Sequence, residues 1–355
     1  MHLILKWQKL CWRKLQMINA QYKLIAPREI ETCFSNIQPD NKQVLVRPTM
    51  LSICKADIRY FFGMRDAKEL KKKLPLALVH EAIGCILHDP SGHLTRGDKV
   101  VLLPNIPGKE TAIAENYRRD SKFRSSRADG FMQEVMKLPV SQIVPYNDIP
   151  DEIASFTEFI SVGVQAIKTY LSNKQNMPEK VGIWGDGGLG YIVASLLKYY
   201  IPNTHISVIG VQKSKLELFQ FVDEVYTIDE VYAKDLCFDD VFECVGGQPS
   251  ESAISQMIDL VMPEGILTLL GVSESPVAIN TRLVLEKGLT LIGRSRSSRG
   301  DFVEAIRILE SSKRVTRQMK KLISEIIDVK NINDINYAFN RAKSVDFKVI
   351  MKWKI

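Results

Sequence analysis

Three residue types in this chain could hold a metal ion between them. Cys54 lies in Ser52-Ile53-Cys54-Lys55-Ala56-Asp57, and 26 residues later comes His80-Glu81, in Val79-His80-Glu81-Ala82-Ile83-Gly84. A further carboxylate, Glu158, sits in Thr157-Glu158-Phe159-Ile160-Ser161-Val162-Gly163. Thiolate, imidazole and carboxylate together suit a catalytic Zn²⁺ that keeps one position open for water or substrate. Taken singly, each residue also fits a plain role, the cysteine in a core and the glutamate on a surface.

A second constellation points to a nucleotide. Gly185-Asp186-Gly187-Gly188-Leu189-Gly190 is a G-x-G-x-x-G run. Gly185 permits a tight turn, Gly187 lets backbone approach a pyrophosphate, and Gly190 allows a helix to lie close on a strand. NAD binding calls for an acid about 20 residues further on, to accept from the ribose 2′-hydroxyl. Gly210 stands at that distance, followed by Val211, Gln212, Lys213, Ser214 and Lys215. A small residue followed by cations suits the 2′-phosphate of NADPH. The two lysines equally fit the solvated first turn of a helix.

These residues need elements to position them. From Met17 to Pro145 short β-rich runs (QVLVRP, LALVHEAIGCIL, DKVVLLP, FMQEVMKLP) are broken by turn residues, which predicts a mostly antiparallel, barrel-like domain. ASFTEFISVGVQAIKTYL then reads as a helix. From Val181 strands and helices alternate: VGIWG, YIVASLLKYY, ISVIG, SKLELFQF, DDVFECVG, AISQMIDLVM, GILTLLG. That alternation specifies a parallel, doubly wound sheet, so the fold class is α/β with a Rossmann-type domain beside a β domain. VIMKWKI could return to the first domain.

Composition narrows the class. At 355 residues with 45% hydrophobic and 25% charged, the chain has the make-up of a two-domain globular enzyme. No run approaches the ~18 apolar residues of a membrane span. Six cysteines without pairing rhythm argue for a reducing compartment, here the cytoplasm. The net charge of +7 is concentrated: Lys6, Lys9, Arg13 and Lys14 supply +4 within residues 1–16, leaving +3 for the rest. Neither a nucleic-acid partner nor a membrane is therefore expected. The cluster KELKKK reads as a solvated face.

With these segments together, the sequence resembles the medium-chain zinc-dependent dehydrogenase/reductases, in the polyol dehydrogenase branch, whose β domain is GroES-like. Within that family it is similar to the ribulose-5-phosphate reductases of CDP-ribitol and wall teichoic acid synthesis, through SICKADIRYF, LVHEAIG, IAENYRRDSKFRSS, GIWGDGGLGYI, FECVGG and NTRLVLEKGLTLIG. The resemblance covers Met17 to Ile355. It implies Cys54, His80 and Glu81 as zinc ligands, Glu158 as a fourth, and Asp57 as the acid that holds the zinc histidine. It implies that Arg296 reaches the cofactor pyrophosphate or the substrate edge. It implies an NADPH-dependent reductase of a sugar phosphate, a homodimer joined through an edge strand supplied by GILTLLG, and a coupled ribitol-5-phosphate cytidylyltransferase.

Two departures stand out. Ala56 occupies the place of a proton-passing Ser or Thr hydroxyl, so the proton donor is unassigned. Residues 96–130 contain no cysteine, so the family's structural zinc lobe is not expected. Arg118, Arg119, Arg124 and Arg127 could meet a substrate phosphate or could line a solvated loop. The alternatives to a sugar-phosphate reductase are an NAD-linked dehydrogenase of a free polyol and a non-catalytic NADPH-binding relative. The expected organisation is an extension over 1–16, a catalytic domain over 17–160, a nucleotide domain over 161–293, and a return over 294–355. Deleting residues 1–16, read as an appendage before an internal start at Met17, should leave turnover and melting temperature unchanged. A large fall in either would overturn that reading.

Overall fold

The structure is a computed structural model describing residues 17–355, so the expected extension over 1–16 lies outside the described residues. The chain divides into two compact units. One takes residues 17–158 with Ser297–Ser311 and Ile323–Ile355; the other takes Phe159–Arg296 with Ser312–Leu322.

The second unit is built on six parallel strands, ordered in space Glu224–Thr227, His205–Gly210, Lys180–Trp184, Phe238–Glu243, Val261–Leu269, Thr290–Gly293. In chain order that is 3-2-1-4-5-6, the doubly wound arrangement. Both faces of the central strands are covered, which is why Val181, Ile183 and Trp184, and then Ile206, Val208 and Ile209, are all buried. Helix Gly188–Tyr200 crosses over from the first strand to the second, burying Tyr191, Ile192, Val193, Leu196 and Leu197. The strand order reverses between Lys180–Trp184 and Phe238–Glu243, and ligands of such sheets bind at the carboxyl ends there.

Three expectations about this unit differ from the structure. The helix expected over SKLELFQF stops after Lys213–Leu216. Phe219 and Phe221 both meet the Tyr191 ring, at 5.1 and 5.0 Å, and residues two apart cannot share one helical face. GILTLLG is not an edge, because Ile266–Leu269 pair along their outer side with Thr290–Gly293, which is the edge strand. The stretch over 294–355 does not all return to the first unit. Ser312–Leu322 stays with the second, where Gln318 accepts from Ser195 Oγ at 2.6 Å, Arg314 donates to the Lys198 carbonyl, and Val315 and Met319 are buried.

The first unit is mostly antiparallel. One sheet runs Ile143–Pro145, Lys99–Leu102, Glu81–His88, Gln43–Ser52, Lys348–Trp353, Ile323–Val329, with Met136–Pro139 also paired to Gln43–Ser52. VIMKWKI thus does return, antiparallel to Gln43–Ser52. Register does the positioning: Ser52 lies opposite Glu81 on one side and Ile350 on the other. The Ile53 N–H then donates to the Val349 carbonyl at 3.0 Å, one residue before Cys54. LALVHEAIGCIL is not one strand. Leu76–Ala77 and Glu81–His88 are separated at Val79, whose φ is 66°. Among the described residues no helix is long and apolar enough to cross a membrane.

Helix Ile332–Ser344, capped by Asn331, lays Phe339 face to face on Phe61 with centroids 4.4 Å apart. Phe61 ends the helix that begins beside Cys54. Phe339→Ala should therefore cost about 3–5 kcal/mol in chemical denaturation. A change below about 1 kcal/mol would show that this helix does not brace the first unit.

Candidate functional site

Cys54, His80 and Glu81 offer ligand atoms that all lie within 4.8 Å of one another. Cys54 is the N-cap of helix Lys55–Phe61, and its Sγ is 3.4 Å from His80 Nε2. His80 immediately precedes strand Glu81–His88, so its neighbour Glu81 starts that strand, buried. Glu158, second in helix Thr157–Ser172, stands outside the 4.8 Å group but close enough to feel His80 and Glu81. Thiolate, imidazole and carboxylate so arranged fit a zinc ion.

Behind the ligands stands Asp57, fully buried. Its Oδ1 accepts from Ser125 Oγ at 2.5 Å and the Val79 N–H at 3.0 Å, and lies 3.6 Å from His80 Nδ1. Its Oδ2 accepts from the Cys54 N–H at 3.2 Å. Burial works against the Asp57 carboxylate, but His80 and the donated hydrogen bonds outweigh it and hold the carboxyl at about 2. Burial likewise opposes a charged His80, yet Cys54 and Asp57 raise its pKa well above the imidazole range. Burial pushes the Cys54 thiol up to about 11, with Asp57 adding and His80 opposing; a divalent cation would reverse this. Burial also pushes the Glu158 carboxyl up to about 7, His80 pulling against it.

Two partners here carry no sequence signal near the ligands. Lys348 Nζ meets both carboxylate oxygens of Glu81 at 2.6 Å, and the two residues are 267 positions apart. A carboxylate has about four lone-pair sites, so Glu81 can face a metal and Lys348 together. Ser125 is 68 positions from Asp57 and takes φ 61°. Val79 and Ser125 are both in the left-handed region, which β-branched residues seldom adopt and which costs about 1–3 kcal/mol. Each is pinned: Val79 by Asp57 on its N–H and Phe131 on its carbonyl, Ser125 by Asp57 on its hydroxyl and Ala128 on its N–H.

In the second unit Gly185 turns with φ 130° and donates its N–H to the Ile209 carbonyl at 2.8 Å. A Cβ on Gly190 would come 1.9 Å from the Gly185 carbonyl oxygen, so helix and turn touch there. Gly187 is the open N-cap, with nothing near its Cβ position. Gly210 ends the second strand, where the run Gly210 to Lys215 contains no acid of its own. The strand end does hold a carboxylate, supplied by Asp186 from within the glycine turn. Asp186 Oδ2 accepts from the N–H groups of Val211 and Gln212 at 2.9 and 2.7 Å. Gly210 is small because a Cβ there would lie 2.6 Å from the Asp186 Cβ. Lys213 and Ser214 are exposed at the start of the short helix, and Lys215 is partly so.

The arginines divide. Arg118 donates to the Ile113 and Gly108 carbonyls. Arg124 lies over the Phe131 ring and donates to the Asp129 carbonyl and Gln142. Both are spent on holding their loop. Arg296, the last residue before the chain leaves the second unit, takes φ 59°.

Residues 40–151 match the alcohol dehydrogenase GroES-like domain and residues 151–353 the glucose dehydrogenase C-terminus. The chain is 44% identical to ribulose-5-phosphate reductase 1 of Staphylococcus aureus, over 95% of this chain and 99% of that protein. It belongs to the medium-chain zinc-type dehydrogenases. This dehydrogenase is also 42% identical to a ribulose-5-phosphate reductase of Bacillus spizizenii, over 96% of this chain and all of the relative. The solved structure of S. aureus TarJ in complex with NADPH superposes with a TM-score of 0.85 at 40% identity, over 96% of this chain and 100% of that one.

Asp57 Oδ1 lies 3.6 Å from His80 Nδ1, and if it orients that ring for a bound zinc ion, Asp57→Asn should weaken zinc binding about 10- to 100-fold while the protein stays folded. Competition with a chromogenic chelator measures this. Unchanged affinity would remove Asp57 from the centre.

Proposed function

We propose that this chain is an NADPH-dependent reductase that converts D-ribulose 5-phosphate to D-ribitol 5-phosphate, feeding CDP-ribitol and teichoic acid synthesis. The observation that carries the reading is the cluster of Cys54, His80 and Glu81, kept within a chain 44% identical to a ribulose-5-phosphate reductase along nearly its whole length. The same cluster speaks against a non-catalytic relative.

Zinc, when bound, supplies Lewis acidity to a ketone oxygen, and NADPH supplies hydride. The residues do the rest. Cys54, His80 and Glu81 would hold the metal, with Glu158 as a fourth ligand and no second zinc. Asp57 keeps the His80 ring turned and raises its basicity, and Ser125 and the Val79 amide keep Asp57 in place. Lys348 pairs with Glu81 and offsets part of the repulsion between Glu81 and Glu158. Gly185, Gly187 and Gly190 let backbone approach the pyrophosphate, with Arg296 as a further contact, and Lys213, Ser214 and Lys215 face the 2′-phosphate.

The reading extends to a cytoplasmic enzyme, in keeping with the free thiols of Cys33, Cys54, Cys85, Cys237 and Cys244. It also includes a homodimer formed through the edge strand Thr290–Gly293, and a ribitol-5-phosphate cytidylyltransferase that takes the product. One observation favours the rival, an NAD-linked polyol dehydrogenase: the carboxylate of Asp186 at the strand end.

NADPH oxidation against phosphorylated and free ketoses tests the reading. Ribulose 5-phosphate should be the best substrate, at about one zinc per chain, and Cys54→Ala should lose both metal and turnover. Preference for a free ketose with NADH, or two zincs per chain, would sink it.

A further inference from the structure

The geometry points to Asp186 as the residue that sets how strongly this enzyme prefers NADPH over NADH. The inference rests on the NADPH reading above and deepens it. A 2′-phosphate needs donors at the end of the second strand, His205–Gly210. The two backbone N–H groups that follow, of Val211 and Gln212, already donate to Asp186 Oδ2. The fixed donors of the strand end are therefore satisfied before any phosphate arrives, by a group of the phosphate's own sign.

Asp186 cannot readily be shouldered aside by its neighbour. Gly210 has no side chain, and the space a Cβ would fill is occupied by the Asp186 Cβ, Cγ and Oδ2. The missing side chain at 210 thus seats the aspartate and does not simply make room for a phosphate. What remains for the anion is the cationic rim of Lys213 and Lys215 with the Ser214 hydroxyl, and Lys213 also lies within the field of Glu230. Attraction from the lysines and repulsion from Asp186 act on the same phosphate. NADH brings a 2′-hydroxyl instead, a neutral group that meets no repulsion and can donate to a carboxylate. Asp186 is thus a specificity-determining residue whose charge holds the NADPH preference in check.

Asp186→Asn separates charge from architecture, because the amide carbonyl can still accept from the Val211 and Gln212 N–H groups. Asp186→Ser does the same with a hydroxyl. Dissociation constants for NADPH, NADH and 2′-AMP would be measured on the full-chain protein, by cofactor fluorescence and by quenching of Trp184, which directly precedes the glycine turn. We expect both variants to bind NADPH and 2′-AMP roughly tenfold more tightly, with NADH unchanged or weaker. The gain over wild type should shrink as salt is raised. An unchanged NADPH-to-NADH ratio in folded variants would overturn the inference, as would loss of folding in both, which would make the carboxylate architectural. Failure of the wild type to bind either cofactor would instead overturn the proposed function.

Discussion

One buried carboxylate ties together the chain segments around Cys54, His80 and Glu81. Asp57 accepts from the Cys54 amide, the Val79 amide and the Ser125 hydroxyl, and faces His80 Nδ1. These donors come from three separate stretches of chain, so a single charge gathers a helix start, a strand approach and a loop. An unpaired carboxylate in such a place would be very costly, and a fully satisfied one becomes a rigid hub. The left-handed backbone at Val79 and Ser125 persists because these contacts over-determine it. Cys54 and His80 are thereby held in place by Asp57.

The sheet of the first unit supplies the second layer of constraint. Pairing Ser52 with both Glu81 and Ile350 brings three strand ends to one level. Cys54 and His80 then meet because each lies just beyond one of those ends. Lys348 begins the third strand and reaches Glu81 from there. A one-residue slip in either pairing would turn these side chains to the opposite face, so the register of an ordinary sheet is what specifies the site.

Whatever is local could be read from the sequence. The glycine turn has its strand before it and its helix after it, and the alternation beyond Val181 gave the parallel sheet because each element carries its own periodicity. Cys54, His80, Glu81, Asp57 and Glu158 emerged as candidates because residue types and short contexts mark them. Lys348 and Ser125 do not, since their partners lie 267 and 68 positions away, and the segment around Ser125, though distinctive, does not mark that serine as a partner of Asp57. Spacing along the chain puts Gly210, with no acid among the residues that follow it, at the strand end, while the carboxylate of Asp186 comes in from the neighbouring turn. The truncated helix after Lys213 and the attachment of Ser312–Leu322 were set by tertiary packing of Phe219, Phe221, Val315 and Met319, which periodicity does not encode.

The route of the chain between the units carries a consequence for how the protein is made. The second unit is complete once Leu322 has been synthesised, and nearly all of it is one continuous stretch. The first unit begins earlier and finishes later. Strand Gln43–Ser52 waits for Lys348–Trp353, and Glu81 waits for Lys348, across roughly 300 residues of translation. At the ordinary pace of a ribosome that interval lasts on the order of 15–60 s, during which Met50–Ser52 lack their second neighbour, while Met136–Pro139 already covers Gln43–Val46, and Glu81 is a charge without its counter-ion. The second unit has its whole chain by Leu322, whereas Glu81 gains Lys348 only 267 residues after it is made.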